Sequence, residues 1–359
     1  MHGRGRFALS LFLFLGILLL ASDPRAQATP LNSQPPATPV RLVFIHHSVG
    51  ANWLSDDNGN LLRGLNANNY YVSDTYYGWG PIYDPATPGS GTIGDYTDIG
   101  HWYDWFLGPR SSIFLGDLYP TTHLTPAPEM SGINAIPKPP GDNTVVLFKS
   151  CFVSAYLITG NPNDPPRKSS PADPNPIWGS ADGSEYTVSN IKGMYRDLLS
   201  YFATRQDRLF ILVTTPPSSY DDPGLTRSSA ILLRAINTWL VRHWLENYLY
   251  NNVAVFDFYN VLTSNGGNID TNDLGAATGN HHRLRNGLVQ HVVNVNNNFS
   301  AYTPGGDSHP GGPGSEKTTG EFLPLLNVAY HAWQGDGGRP WLMGRSPAIT
   351  SPSGVLLLD

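Results

Sequence analysis

Apolar residues in this chain gather in short unbroken runs rather than in alternation. Residues 41–45, 143–148, 208–215 and 253–258 are such runs, rich in β-branched and aromatic side chains and each stopped by polar or turn residues. A less apolar run, Tyr-Tyr-Val-Ser-Asp-Thr-Tyr, covers 70–76. Runs of this length and composition read as strands, most of them buried on both faces. Between them apolar residues fall at helical spacing. Residues 188–203 carry Ile191, Met194, Tyr195, Leu198, Leu199 and Phe202 on one side; residues 226–249 carry Ile231, Leu232, Ala235, Ile236, Trp239, Leu240 and Trp244. A helix over 52–66 is interrupted by turn chemistry at Asp56-Asp57-Asn58-Gly59. A last helix is expected over 315–333. Strands alternating with helices predict one α/β domain built on a parallel sheet covered on both faces.

Long stretches interrupt this alternation. Residues 77–140 are rich in Gly, Pro, Asp and aromatics, with one short helix expected at 100–106, and residues 161–182 and 262–314 are loop-like. Loops of this length inside a domain are usually functional. The chain begins differently. His2, Arg4 and Arg6 precede an apolar stretch over 7–21, and Ala26-Gln27-Ala28 is a small-x-small site. Together they predict a secretory signal peptide over 1–28 and a secreted or periplasmic protein. A Pro-rich linker over 29–40, a domain over 41–335 and a tail over 336–359 complete the expected organisation, with no membrane span after signal cleavage.

Charge and cysteine usage narrow the partners. Without residues 1–28, which hold three Arg and one Asp, 19 basic residues face 27 acidic ones, a net charge of −8. That excess argues against nucleic acid. Cys151 is the only cysteine, so no intrachain disulfide forms and stability rests on an ordinary core. The lone thiol follows an apolar run and reads as packed matter.

The chemistry concentrates at two distant places. The first run ends in His46-His47-Ser48-Val49-Gly50, which puts Ser48 just past the C-terminal edge of a buried strand, where ligands bind in open α/β sheets. Ser48 there is either a nucleophile or the cap of the next helix. Near the other end stands Gly305-Gly306-Asp307-Ser308-His309-Pro310. Asp307 and His309 either tie down a turn or bring a carboxylate and an imidazole to one point, the pair that activates a serine hydroxyl. The histidine pairs His46-His47 and His281-His282 lack the usual spacing of metal ligands, so no metal is expected. Asp257, closing the fifth run, reads as a solvated loop carboxylate. Trp79, Tyr83, Trp102, Tyr103 and Trp105 either stack on sugar rings or pack their own loop.

A serine after the first strand, five parallel strands and an Asp-x-His-Pro before the last helix resemble the SGNH (GDSL-like) hydrolase superfamily over residues 41–333. The resemblance implies a flavodoxin-like three-layer sandwich with strand order 2-1-3-4-5. It also implies a serine hydrolase or esterase that cleaves an ester, here an acyl (acetyl) group on a carbohydrate, without a cofactor. In the implied catalytic triad Ser48 is nucleophile, His309 base and Asp307 its orienter. The oxyanion donors would be the Ser48 N–H, Gly78 or Gly80 after the second strand, and Lys149 or Ser150 where the family has an asparagine; His47 faces the substrate. The motif here is His46-His47-Ser48 in place of Gly-Asp-Ser, and the Asp–His spacing is one residue shorter than usual. Two alternatives remain: an O-acyltransferase using the same residues, or a catalytically inactive glycan-binding protein on the same fold.

Overall fold

A computed structural model describes residues 31–121, 134–178, 183–219, 222–224, 226–263, 279–293 and 308–336. The expected signal peptide, Asp307 and the tail beyond Asp336 lie outside the described residues. The protein is an α/β sandwich. Strands β1 (Val40–Ile45), β2 (Tyr70–Thr75), β3 (Val145–Lys149), β4 (Leu209–Val213) and β5 (Val253–Phe256) form one parallel sheet in the order β2-β1-β3-β4-β5, a flavodoxin-like arrangement.

Alternate residues of each strand serve opposite layers, as the two-residue pleat requires. Val43, Ile45, Val146, Phe148, Phe210, Leu212 and Val255 face the layer that contains α3 (Trp102–Phe106), α4 (Ser111–Leu118), α5 (Val188–Thr204) and α6 (Arg227–Arg242). Leu42, Phe44, Leu147, Ile211, Val213 and Phe256 face the layer of α1 (Ser48–Leu54), α2 (Leu61–Ala67), α7 (Phe258–Leu262) and α8 (Gly312–Gln334). Each such side chain contributes about 1.5–3 kcal/mol by leaving water. Among the described residues no helix is long and apolar enough to cross a membrane.

The register places the site. Ile45 at the end of β1 pairs with Thr75 on one side and Phe148 on the other. The residues that follow all three strands therefore emerge side by side: His46-His47-Ser48, Tyr76-Tyr77 and Ser150-Cys151. The chain leaves β1 for β2 through α1 and α2 on one face, and reaches β3 through α3 and α4 on the other. This reversal is the topological switch point of an open α/β sheet.

Several elements differ from the sequence reading. The helix over 52–66 is two, α1 and α2, divided at the predicted turn. α4 lies where a loop was expected. α6 stops at Arg242, and its buried face is turned toward Ala230, Leu233, Arg234 and Asn237 as well as Leu232, Ile236 and Leu240. Residues 31–39, read as a linker, lie against the domain: Asn327 donates to Ser33 O, Asn69 to Pro36 O, and His331 to Gln34 O.

Residues 281–292, expected as loop, form an antiparallel hairpin of β6 (His281–Arg285) and β7 (Leu288–Val292). It corrects the reading of Asp257, which is 1% exposed rather than solvated. The Asp257 carboxylate caps α7 by accepting from Asn260 N, accepts from Thr214 Oγ1 and lies 2.7 Å from His291 Nε2 on the hairpin. Burial pushes this carboxyl up, but the bond to His291 and the charges of His291 and His282 outweigh it and hold it below its ordinary value. His282 accepts the Asp257 N–H, and burial, helped by His291, takes its imidazole down to about 3. Both folded-state shifts are downward, so the sign is the same. Between about pH 6.5 and 3 the unfolded chain takes up the His282 proton that the folded chain refuses, and below about pH 4 the Asp257 contribution goes too. Thermal melts from pH 8 to 4 are expected to show a falling Tm once pH drops below 6.5; a flat profile would mean that these burials do not govern acid stability.

Candidate active site

Ser48 opens α1, with His47 as the extended residue before it, at φ −118° and ψ −160°. The local sequence permits the sharp turn. A Cβ on Gly50 would sit 2.4 Å from His46 Cβ, so only glycine lets the first turn of α1 rest directly on the His46 side chain.

His309 comes to Ser48 from 261 residues away. Its Nε2 stands 2.8 Å from Ser48 Oγ, the geometry in which an unprotonated Nε2 accepts the serine proton. The loop carrying it is held at Ser308, which takes a left-handed φ of 57°. Ser308 Oγ donates to Asp222 Oδ2 and accepts from Ser219 N at 3.0 Å; Tyr156 Oη donates to the same Asp222 oxygen at 2.5 Å. Asn58 donates to Pro310 O on the other side. The loop after β4 and the 3₁₀ turn after β3 (Phe152–Leu157) thus set His309, whose ring also meets the edge of Phe152 at 5.6 Å and 88°.

His46 and His47 do different work. His46 is fully buried, its Nε2 3.1 Å from Asp74 Oδ2 and its Nδ1 donating to His47 O at 2.8 Å. His47 donates from Nε2 to Gly94 O at 3.0 Å. Burial, with the Lys149 charge adding to it, takes the His47 imidazole down to about 3 against the pull of that bond, so it is a neutral wall at working pH. The Tyr77 ring lies on it, centroids 3.9 Å apart. Burial holds the Tyr77 hydroxyl above the ordinary tyrosine value, against a downward pull from the neighbouring Ser48 side chain, so it stays protonated.

The candidate oxyanion donors are placed unevenly. The Gly78 N–H donates to Asp95 Oδ1 at 2.9 Å, which commits it to its own loop. Gly80, at φ 78°, lies against Ile93. Lys149 is fully buried; its Nζ donates to Ser150 O at 3.3 Å, and burial takes the amine down to about 8 despite the Cys151 thiol beside it. Ser150 Oγ accepts from Trp102 Nε1 at 2.9 Å. The structure therefore brings together Ser48, His309 and His47, and turns Lys149, Ser150 and Gly78 toward partners of their own. Tyr77 and Phe152 escaped the sequence reading. The signal for Tyr77 was its position, one residue before Gly78. Trp102 and Trp105 are fully buried and Tyr103 nearly so, which makes them packing for the 77–140 segment.

Among the described residues no group of three or more His, Cys, Asp or Glu is placed to hold a metal ion. In comparisons with known proteins, the chain matches no family model and no curated protein.

Proposed function

We propose that the protein is a serine hydrolase of SGNH type that cleaves an ester, with an acyl group on a carbohydrate as the expected substrate. The observation that carries this reading is the 2.8 Å contact between His309 Nε2 and Ser48 Oγ at the carboxyl edge of a parallel sheet. Ser48 attacks the acyl carbonyl as His309 takes its proton; His309 then returns that proton to the leaving alcohol. Water, activated by the same imidazole, releases the acyl group. Asp307, two residues before His309, is the proposed orienter, on the sequence alone. An acceptor sugar in place of water would make the enzyme an acyltransferase.

A second reading has its own support. The Gly78 N–H donates to Asp95 and Lys149 Nζ to Ser150 O, which favours a glycan-binding protein that keeps the fold without turnover. A fluorophosphonate probe separates the two, because it labels only an activated serine. Labelling of the wild-type protein that disappears in Ser48→Ala is the expected result. A folded wild type that takes no label would exclude the hydrolase, and glycan binding untouched by Ser48→Ala would then support the binding protein.

A further inference from the structure

Beneath the nucleophile lie two buried groups that the proposed chemistry does not use, His46 and Asp74, both at 0% side-chain exposure. We propose that they form a peptide lock: His46, braced by Asp74, fixes the His47–Ser48 peptide so that the Ser48 N–H is aimed at the oxyanion. This rests on the reading of Ser48 as nucleophile and makes His46 a positioning residue.

The argument starts from one carbonyl. His47 O accepts from Gly50 N at 2.8 Å and from Ala51 N at 3.1 Å, as the first carbonyl of α1, and from His46 Nδ1 at 2.8 Å. Three donors therefore hold it. A peptide unit is planar and trans, so its C=O and N–H point in opposite directions. Holding the His47 carbonyl toward His46 and the body of α1 turns the Ser48 N–H the other way, out of the first turn. That N–H is two bonds from the Cβ that carries the nucleophilic oxygen. It is within reach of the carbonyl oxygen that Ser48 would attack, the position where a fixed donor stabilises developing charge.

The Ser48 N–H carries more of the oxyanion here, because the Gly78 N–H is given to Asp95 and the Lys149 amine donates to Ser150 O. α1 has only seven residues, a length at which a helix holds its own end weakly. His46 supplies the missing rigidity by linking that end to β2, where Asp74 sits beside Phe44 in the sheet. The ring cannot swing. Phe44 lies 4.5 Å away, Tyr76 5.7 Å, and Gly50 closes over it without a Cβ.

The test compares His46→Phe with His46→Asn in the full chain, using 4-nitrophenyl acetate turnover and the rate of fluorophosphonate labelling. Phenylalanine fills the space and keeps the ring contacts but has no donor. It is expected to lower kcat by about 100-fold, the order seen when an oxyanion donor is lost, with KM changed by less than about threefold. Asparagine leaves a gap but places an amide N–H where Nδ1 was. It is expected to melt lower than the phenylalanine variant, yet to recover kcat to within about tenfold of wild type. A purely structural pair predicts the reverse order, activity following stability. The lock is overturned if His46→Phe keeps wild-type kcat, or if folded His46→Asn is no faster than His46→Phe. Should His46→Phe not fold, His46→Leu takes its place in the same comparison. A wild type that neither turns over nor labels would instead overturn the nucleophile reading, and the lock with it; an active wild type with an equally active His46→Phe overturns the lock alone.

Discussion

Ser48→Ala, His309→Ala and the double replacement are expected to give three proteins of nearly equal, very low ester-hydrolysing activity. Each single change should lower kcat by about 10⁴–10⁶-fold, and the second change should add almost nothing. The reason is the single contact between the two side chains at 2.8 Å. A serine hydroxyl without a base is a poor nucleophile, and an imidazole without the hydroxyl has no proton to take, so either loss removes the same step. Residues that contribute separately would give effects that multiply. Kinetics of the purified proteins on an acetyl ester, with KM followed alongside, decide the matter. A double replacement much slower than either single one would show that Ser48 and His309 act independently, and would sink the proposed pair. Neither change should unfold the protein, since Ser48 lies at a helix start and His309 in a loop that Ser308, Asp222 and Tyr156 hold without it.

The parts of the fold that could be read from the chain are those where one local pattern decides one element. β3 and β4 are continuous apolar runs, and both are fully buried. α5 shows a one-sided apolar stripe closed by Thr187, whose side chain accepts from Asn190 N. Alternating strands and helices pointed to a covered parallel sheet, whereas the order β2-β1-β3-β4-β5 was expected only from the resemblance to the SGNH superfamily. The contact of Ser48 with His309 was legible for a different reason. Each stands in a short run of polar and glycine residues beside an apolar element, so each sequence marks an edge on its own.

What was illegible depends on partners remote in sequence. Asp257 is buried because His291 reaches it from a hairpin 34 residues later, and that hairpin is built of polar strands. Its signal was present in Asn286-Gly287, both at positive φ, the turn that suits the twist of a two-stranded ribbon. α4 has apolar residues without a one-sided stripe and is buried only at Phe114 and Leu118. α6 ends before Trp244 although the apolar spacing continues: His243 N and Trp244 N both donate to Trp239 O as the chain turns, and the Trp244 indole packs by donating to Tyr195 O. The candidate oxyanion donors were the hardest case. A loop glycine advertises its backbone freedom, but not that Asp95 will claim the N–H of Gly78.

Trp53→Ala is expected to cost both stability and turnover, because one side chain ties the helix of the proposed nucleophile to the helix that follows His309. Trp53 is fully buried in the second turn of α1. Its ring packs on Phe258 at 4.8 Å, Phe322 at 5.2 Å and Phe44 at 6.0 Å. Its Nε1 donates to Thr319 Oγ1 on α8 at 2.9 Å, and Thr319 in turn donates to Gly59 O at 2.6 Å. Truncating a buried tryptophan costs about 3–5 kcal/mol, and in a chain of this size that lowers Tm by roughly 10 °C. The activity follows from geometry. α8 begins at Gly312, three residues past His309, so a shift of α1 against α8 changes the Ser48–His309 distance on which the proposed proton transfer depends. Trp53→Phe keeps most of the ring packing and loses only the bond to Thr319, whose hydroxyl still donates to Gly59 O, at a cost of about 1 kcal/mol. Thermal melts and kcat measured on both variants well below their Tm separate packing from catalysis. If Trp53→Ala loses stability but turns over at the wild-type rate, the register of α1 on α8 does not hold Ser48 against His309, and the anchor of the dyad must be sought in the loop hydrogen bonds around Ser308 instead.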